Sequence, residues 1–137
     1  MDALIDESKK HWEKKNHSYS LFASAKSLGK KENCYYKKVL LKGGEIGAGG
    51  AILQKVRFPK GLKINPHFHR KQTEIFYVSG GSAVIEINGR KYKADERKMF
   101  IVRPDDLHSI DNSKGKEDFE IVVFKVNEPE DENDFFE

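Results

Sequence analysis

Cysteine is almost missing from this chain of 137 residues, where Cys34 stands alone. No internal disulfide can form, which agrees with a reducing compartment, and Cys34 reads as a partly buried thiol because no motif surrounds it. A closed structural zinc site, which more often uses cysteines, is disfavoured because none lies near the histidine cluster described below. Long apolar runs are lacking too: no stretch approaches the length that spans a bilayer, so no membrane partner is expected. The opening residues show no basic region followed by an apolar one, and the expectation is a cytoplasmic protein. Nor is there an excess of one charge. A formal net charge of +3 demands no nucleic-acid partner. Lys30, Lys31, Lys37 and Lys38 around Tyr35 and Tyr36 read as lysines on a solvated strand face. The glycine-rich stretch 43–50 lacks the Gly-Lys-Ser/Thr ending that would cradle a phosphate and reads as a turn or hairpin connection.

What is present is enough for one domain with a real core, with 37% hydrophobic and 34% charged residues. Residues 2–16 are charged, with Leu4, Ile5 and Trp12 near helical spacing, and predict a short amphipathic helix. Beyond residue 34 the pattern changes to short alternating segments. Strands are predicted at 35–41, 51–58, 67–69, 74–79, 82–87, 91–93, 99–102 and 118–126. In the second of these, Ile52, Val56 and Phe58 share the inward parity and carry Gln54 with them. Asn88-Gly89 between alternating segments is a strong hairpin signal. Many short strands with turn signals, and no alternation of strand with helix, make this an all-β barrel or sandwich. The acidic tail ending in Phe135 and Phe136 reads as a solvated, partly disordered end, with docking of the two aromatics as the alternative.

The chemistry concentrates in two places. His67 and His69 are two residues apart, so on an extended strand both imidazoles face the same way. Glu74 heads an apolar run, and a strand pairing with the first would bring its carboxylate beside the two rings. His108, in the stretch from Pro104 to Asn112, supplies a third imidazole. Such nitrogen and oxygen donors suit a divalent first-row metal. His11 and His17 sit in the charged N-terminal part and read as exposed and uninvolved.

The spacing resembles the cupin superfamily. Its first motif, Gly, five residues, His, one, His, three or four, Glu, six, Gly, is matched by Gly61, His67, His69, Glu74 and Gly81. The second motif is matched more loosely: Pro104, His108 and Asn112 are in place, but His108 comes one residue early. Lys98 and Asp106 stand where that motif has its two glycines. The resemblance implies a small antiparallel barrel, a double-stranded β-helix or jelly roll, with one divalent transition metal (Fe, Mn, Ni, Zn or Cu) held by His67, His69, Glu74 and His108. It also implies a homodimer, for which the apolar edge Val39-Leu40-Leu41 is a candidate surface. The domain expected is single, 1–137, with a barrel core at about 47–126, an N-terminal segment at about 1–34 and the acidic tail at about 127–137. Asn112 reads as a turn or wall hydrogen bonder, and Lys91, Lys93 and Arg103 are candidates for the rim of the barrel.

Two function classes follow. In one, the protein is a small metalloenzyme acting on a compact polar metabolite such as a sugar, sugar phosphate or keto acid. The chemistry would be isomerase or lyase in type, or dioxygenase if the metal is redox-active, with Glu74 as ligand and potential base. In the other, it is a non-catalytic module that binds or senses a metal or small ligand. The fold alone gives no substrate.

Overall fold

The computed structural model describes residues 3–16 and 34–128, together with the backbone of 135 and 136. Two antiparallel sheets face each other. The six-stranded sheet has the order β1-β2-β3-β10-β5-β8 and the five-stranded one β11-β4-β9-β6-β7. The strands of the first are β1 Glu13–Asn16, β2 Cys34–Lys42, β3 Ile52–Phe58, β5 Thr73–Gly80, β8 Met99–Val102 and β10 Phe119–Val126. Those of the second are β4 Lys63–Phe68, β6 Ala83–Ile87, β7 Arg90–Ala94, β9 His108–Asp111 and β11 Phe135–Phe136. Alternate residues of β3, β5 and β10 point between the sheets, and Val56, Phe58, Phe76, Val78, Phe119, Ile121 and Val123 form the core with Ile64, Ile85 and Ile110 from the opposite side. No helix among the described residues is long and apolar enough to cross a membrane.

Most predicted strands are present within a residue or two of their expected bounds, and the Asn88-Gly89 turn has both residues at positive φ, 49° and 85°. The following expectations are corrected. The N-terminal segment forms no amphipathic helix beyond a 3-10 turn at Glu7–Lys9; it continues as β1, pairing Glu13 with Lys37 and Asn16 with Cys34. The unsatisfied edge of β2 and the charges beside it give this segment better partners than a helix would. Trp12 lies 4.6 Å from Lys38 Nζ and 4.5 Å from Arg57 Cζ, and Glu7 pairs with Lys55 at 2.5 Å. That contact also overturns the solvated reading of the lysines on β2, since Lys38 is only 9% exposed under this cover. Lys30, Lys31 and His17 lie outside the described residues, whereas His11 is exposed as expected. Finally, β2 lies inside its sheet between β1 and β3, so Val39-Leu40-Leu41 does not form the outermost strand. The stretch at Gly43 connects the antiparallel pair β2 and β3, as expected of a turn or hairpin connection, and begins with a single helical turn, Gly43–Ile46. Cys34 is more buried than expected, at 1% exposure, with its Sγ 3.1 Å from Asn16 Oδ1.

Gly81 shows why the sheet connections are specific. Its φ is +75°, and a Cβ there would lie 2.3 Å from the backbone oxygen of Asp118, which cannot withdraw without moving β10. Gly61 also has a positive φ, +89°, but open space around it. Gly81→Ala should therefore lower stability by about 3 kcal/mol or more and Gly61→Ala by only about 1 kcal/mol. Equal midpoints in urea unfolding would contradict the assignment of a close backbone contact to Gly81.

Candidate metal centre and cavity

β4 reaches the site through an irregularity. Pro66 cannot donate to a ladder, and the pairing of β4 with β9 shifts register between Ile64 and His67 at that point. The shift sets His67 directly opposite His108, with ring centroids 4.2 Å apart. His69 follows one residue past the end of β4, its ring 5.3 Å from that of His67 and 5.4 Å from that of His108. One nitrogen from each of the three rings lies within 4.8 Å of the others. His69 and His108 are buried, at 7% and 2% exposure.

The tautomers follow from the backbone. His67 Nδ1 is 3.1 Å from the Asn65 carbonyl oxygen and His108 Nδ1 is 2.9 Å from that of Asp106. A carbonyl oxygen only accepts, so each Nδ1 carries the proton and donates it, and Nε2 bears the lone pair that a cation would use. The turn that delivers Asp106 is itself fixed. Asn88 Nδ2 donates to Asp106 Oδ1 at 2.9 Å, the Arg103 amide donates to Asp106 Oδ2 at 2.8 Å, and the Leu107 amide donates to Asn88 Oδ1 at 2.9 Å. This explains the departures from the second cupin motif. Asp106 closes the turn by its side chain where a glycine is usual, and the left-handed positions move one residue earlier, to Asp105 at φ 69° and Arg97 at φ 73°.

Glu74 arrives by a different route from the one expected. β5 does not pair with β4; it belongs to the other sheet, between β10 and β8. The chain crosses between the sheets after His69, and Glu74 reaches the rings from the opposite wall. Its Oε1 accepts from His69 Nε2 at 2.7 Å and from Gln72 Nε2 at 2.6 Å. Burial pushes this carboxyl up, but the His69 hydrogen bond and the charge of Lys125 more than offset it, so the group stays ionised well below the usual carboxylate range. Glu74 thus meets the histidine group through His69. A cation bound between them would displace the hydrogen on His69 Nε2, which a neutral imidazole can carry on Nδ1 instead, so these donors fit a divalent metal.

The four side chains open on a cavity of about 120 Å³. Its walls are largely apolar, from Val56, Phe58, Ile64, Phe76, Ile110, Ile121 and Val123, with Tyr35, Lys37, Gln54 and Lys125 as further polar groups. The basic residues expected at the rim, Lys91, Lys93 and Arg103, do not line it. The residues that do were legible in part: Gln54 had the inward parity, and the alternation Phe119, Ile121, Val123 continues to Lys125. Lys37 carried no such signal, because its neighbours Tyr36 and Lys38 are equally polar. Burial first, then the neighbouring charge of Lys125, hold the Lys37 ammonium below the ordinary lysine range. Asn112 is a wall hydrogen bonder as expected, its Nδ2 donating to the Phe58 and Glu117 carbonyls at 3.1 Å each.

The buried rings make the metal-free protein acid-sensitive. Burial, then the repulsion of His67, lowers His108 from its ordinary 6.5 to about 4. The unfolded chain therefore binds more protons than the folded one between those values, and stability falls as pH drops through the window. The folded state should lose up to about 3 kcal/mol between pH 7 and pH 4. Urea unfolding of chelator-treated protein checks this, and a His108→Gln variant should show a flatter profile.

Comparison with known proteins places this geometry. No curated protein sequence matches the chain. Among solved structures, a predicted oxalate decarboxylase from Thermotoga maritima superposes with a TM-score of 0.74 at 20% identity, over 90% of this chain and 98% of that one. KdgF from Halomonas sp. gives 0.60 at 18% identity, over 71% of this chain and 82% of that one. A putative sugar phosphate isomerase from Acidithiobacillus ferrooxidans gives 0.58 at 20%, over 69% and 60%. These likenesses show a shared fold. The cupin domain family model matches residues 54–125, more than half of the sequence. With both sheets, the histidine group and this match in agreement, the chain belongs to the cupin family.

Proposed function

We propose that this cupin holds one divalent transition metal through His67, His69, His108 and Glu74 and uses it on a compact organic acid. The observation that carries the reading is the pairing of three convergent imidazole nitrogens with two cavity-lining ammonium groups, Lys37 and Lys125, on otherwise apolar walls. Apolar walls with a few charged groups suit an organic acid, whereas a sugar would call for several hydroxyl and amide partners. When bound, the ion would supply Lewis-acid polarisation of a carbonyl or carboxylate oxygen, or dioxygen activation if redox-active.

The remaining roles fall to the chain. Lys37 and Lys125 draw in and orient the carboxylate, and burial behind β2 and β10 strengthens that attraction relative to open water. Glu74 is held strongly ionised, which suits a ligand; to act as a base it would first have to leave His69. A predicted oxalate decarboxylase is among the similar folds, and at 20% identity it speaks for the fold alone. Titration of the metal-loaded protein with acetate, pyruvate and glycolate, against neutral glyceraldehyde, tests the reading. The acids should bind in a metal-dependent way and the aldehyde at least about tenfold more weakly. Equal affinity for all four would overturn it. Conversion of a bound acid, with or without dioxygen uptake, separates an enzyme from a holding module.

A further inference from the structure

Gln54 carries an unanswered group. Its side chain is 3% exposed, lines the same cavity, and its Oε1 has no hydrogen-bond partner among the described residues. Buried amide oxygens are almost always paired, and leaving one without a donor costs about 1–3 kcal/mol. The strand neighbours cannot help, since in the register Gln54 stands between Val39 on β2 and Val123 on β10. The other such atom, Asn112 Oδ1, does not line the cavity.

The position of Gln54 relative to the lysines gives the orphan a meaning. Along β3, the inward residue on one side of it is Val56, paired with Lys37, and on the other is Ile52, paired with Lys125. Gln54 therefore lies in the row between the two cations. A carboxylate held between the two ammonium groups would set the substituent on its α-carbon beside Gln54. An oxygen there that bears a hydrogen would satisfy the amide. A keto oxygen or an ether oxygen would oppose it, lone pair against lone pair.

Resting on the organic-acid reading above, we infer that Gln54 is a specificity-determining residue that selects acids carrying a hydroxyl donor over their keto, ether or unsubstituted counterparts. A site built to hydrogen-bond a hydroxyl rejects an analogue without it because its own buried group is left unpaired. The substrate class is then a short hydroxy acid.

The test is calorimetric titration of zinc-loaded protein with glycolate and with methoxyacetate, which keeps both oxygens available to the metal but has lost the O–H. Wild type should bind glycolate at least about tenfold more tightly. In Gln54→Met, of similar shape and without the acceptor, the ratio should fall to within about twofold at equal zinc content. Equal affinities in wild type, or an unchanged ratio in Gln54→Met, would overturn the inference. Should that variant fail to fold, Gln54→Leu reads the same ratio, and the wild-type comparison alone can still refute the role. If acetate and both probes all fail to bind wild type, the organic-acid reading itself falls; if acetate binds and glycolate gains nothing over methoxyacetate, only the role of Gln54 is lost.

Discussion

His69→Ala is expected to weaken metal binding by at least about 100-fold, while His11→Ala leaves it unchanged. The size follows from what His69 holds. Its ring supplies one of three nitrogens within 4.8 Å, and its Nε2 is also the 2.7 Å partner that fixes Glu74. Loss of a group that merely orients a ligand lowers affinity by about 10–100-fold, and this residue combines both duties. Removal also leaves a buried carboxylate with Gln72 as its remaining close side-chain donor among the described residues, so part of the effect will appear as lower stability of the metal-free variant. Metal content after purification and dialysis, read beside the unfolding midpoint, separates the two contributions. Equal metal retention by His69→Ala and His11→Ala would remove His69 from the ligand set.

Lys37→Met is expected to weaken binding of a short carboxylate to the metal-loaded protein by about 10- to 30-fold, and Lys125→Met by somewhat less. Both ammonium groups line the cavity, but they are not equivalent. Lys125 already has Glu128 at 3.8 Å, whereas burial and the charge of Lys125 press on Lys37 and lower its proton affinity. An incoming anion relieves more at Lys37. The two effects should fall short of additivity in the double variant, because each lysine's charge acts on the other as well as on the anion. Titration with acetate at fixed ionic strength measures this, and affinities unchanged within about twofold in Lys37→Met would contradict the anion-binding role.

Much of the site was legible in the spacing of a few residues. His67 and His69 had to share a face once β4 was extended, and Gly81 had to be glycine where the chain passes against Asp118. The partner of that face was less accessible. Whether β5 pairs with β4 or crosses to the other sheet depends on the turn at 69–72 and on all the strands that follow, which no local pattern encodes. The N-terminal residues depend on distant contacts in a related way. Leu4, Ile5 and Trp12 fit a helical stripe in isolation, but the open edge of β2 and the cluster of Lys38, Lys55 and Arg57 decide the outcome from outside the segment. Lysine on a strand usually lies in solvent, and Lys37 departs from that rule because it lines the cavity between the sheets. Docking of Phe135 and Phe136 on the barrel or on a partner subunit is the lesser of the two readings the sequence offers for the tail; the backbone of these two residues pairs with Phe68 and His67 as β11.

The most direct test of the account is elemental analysis of the full chain, purified at neutral pH without a nickel column or chelator. It should carry about one divalent transition metal per chain, and chelator-treated protein should take up about one equivalent. Protein that holds no metal as purified, and takes up none when Mn, Fe, Ni, Cu and Zn are each supplied, would contradict it.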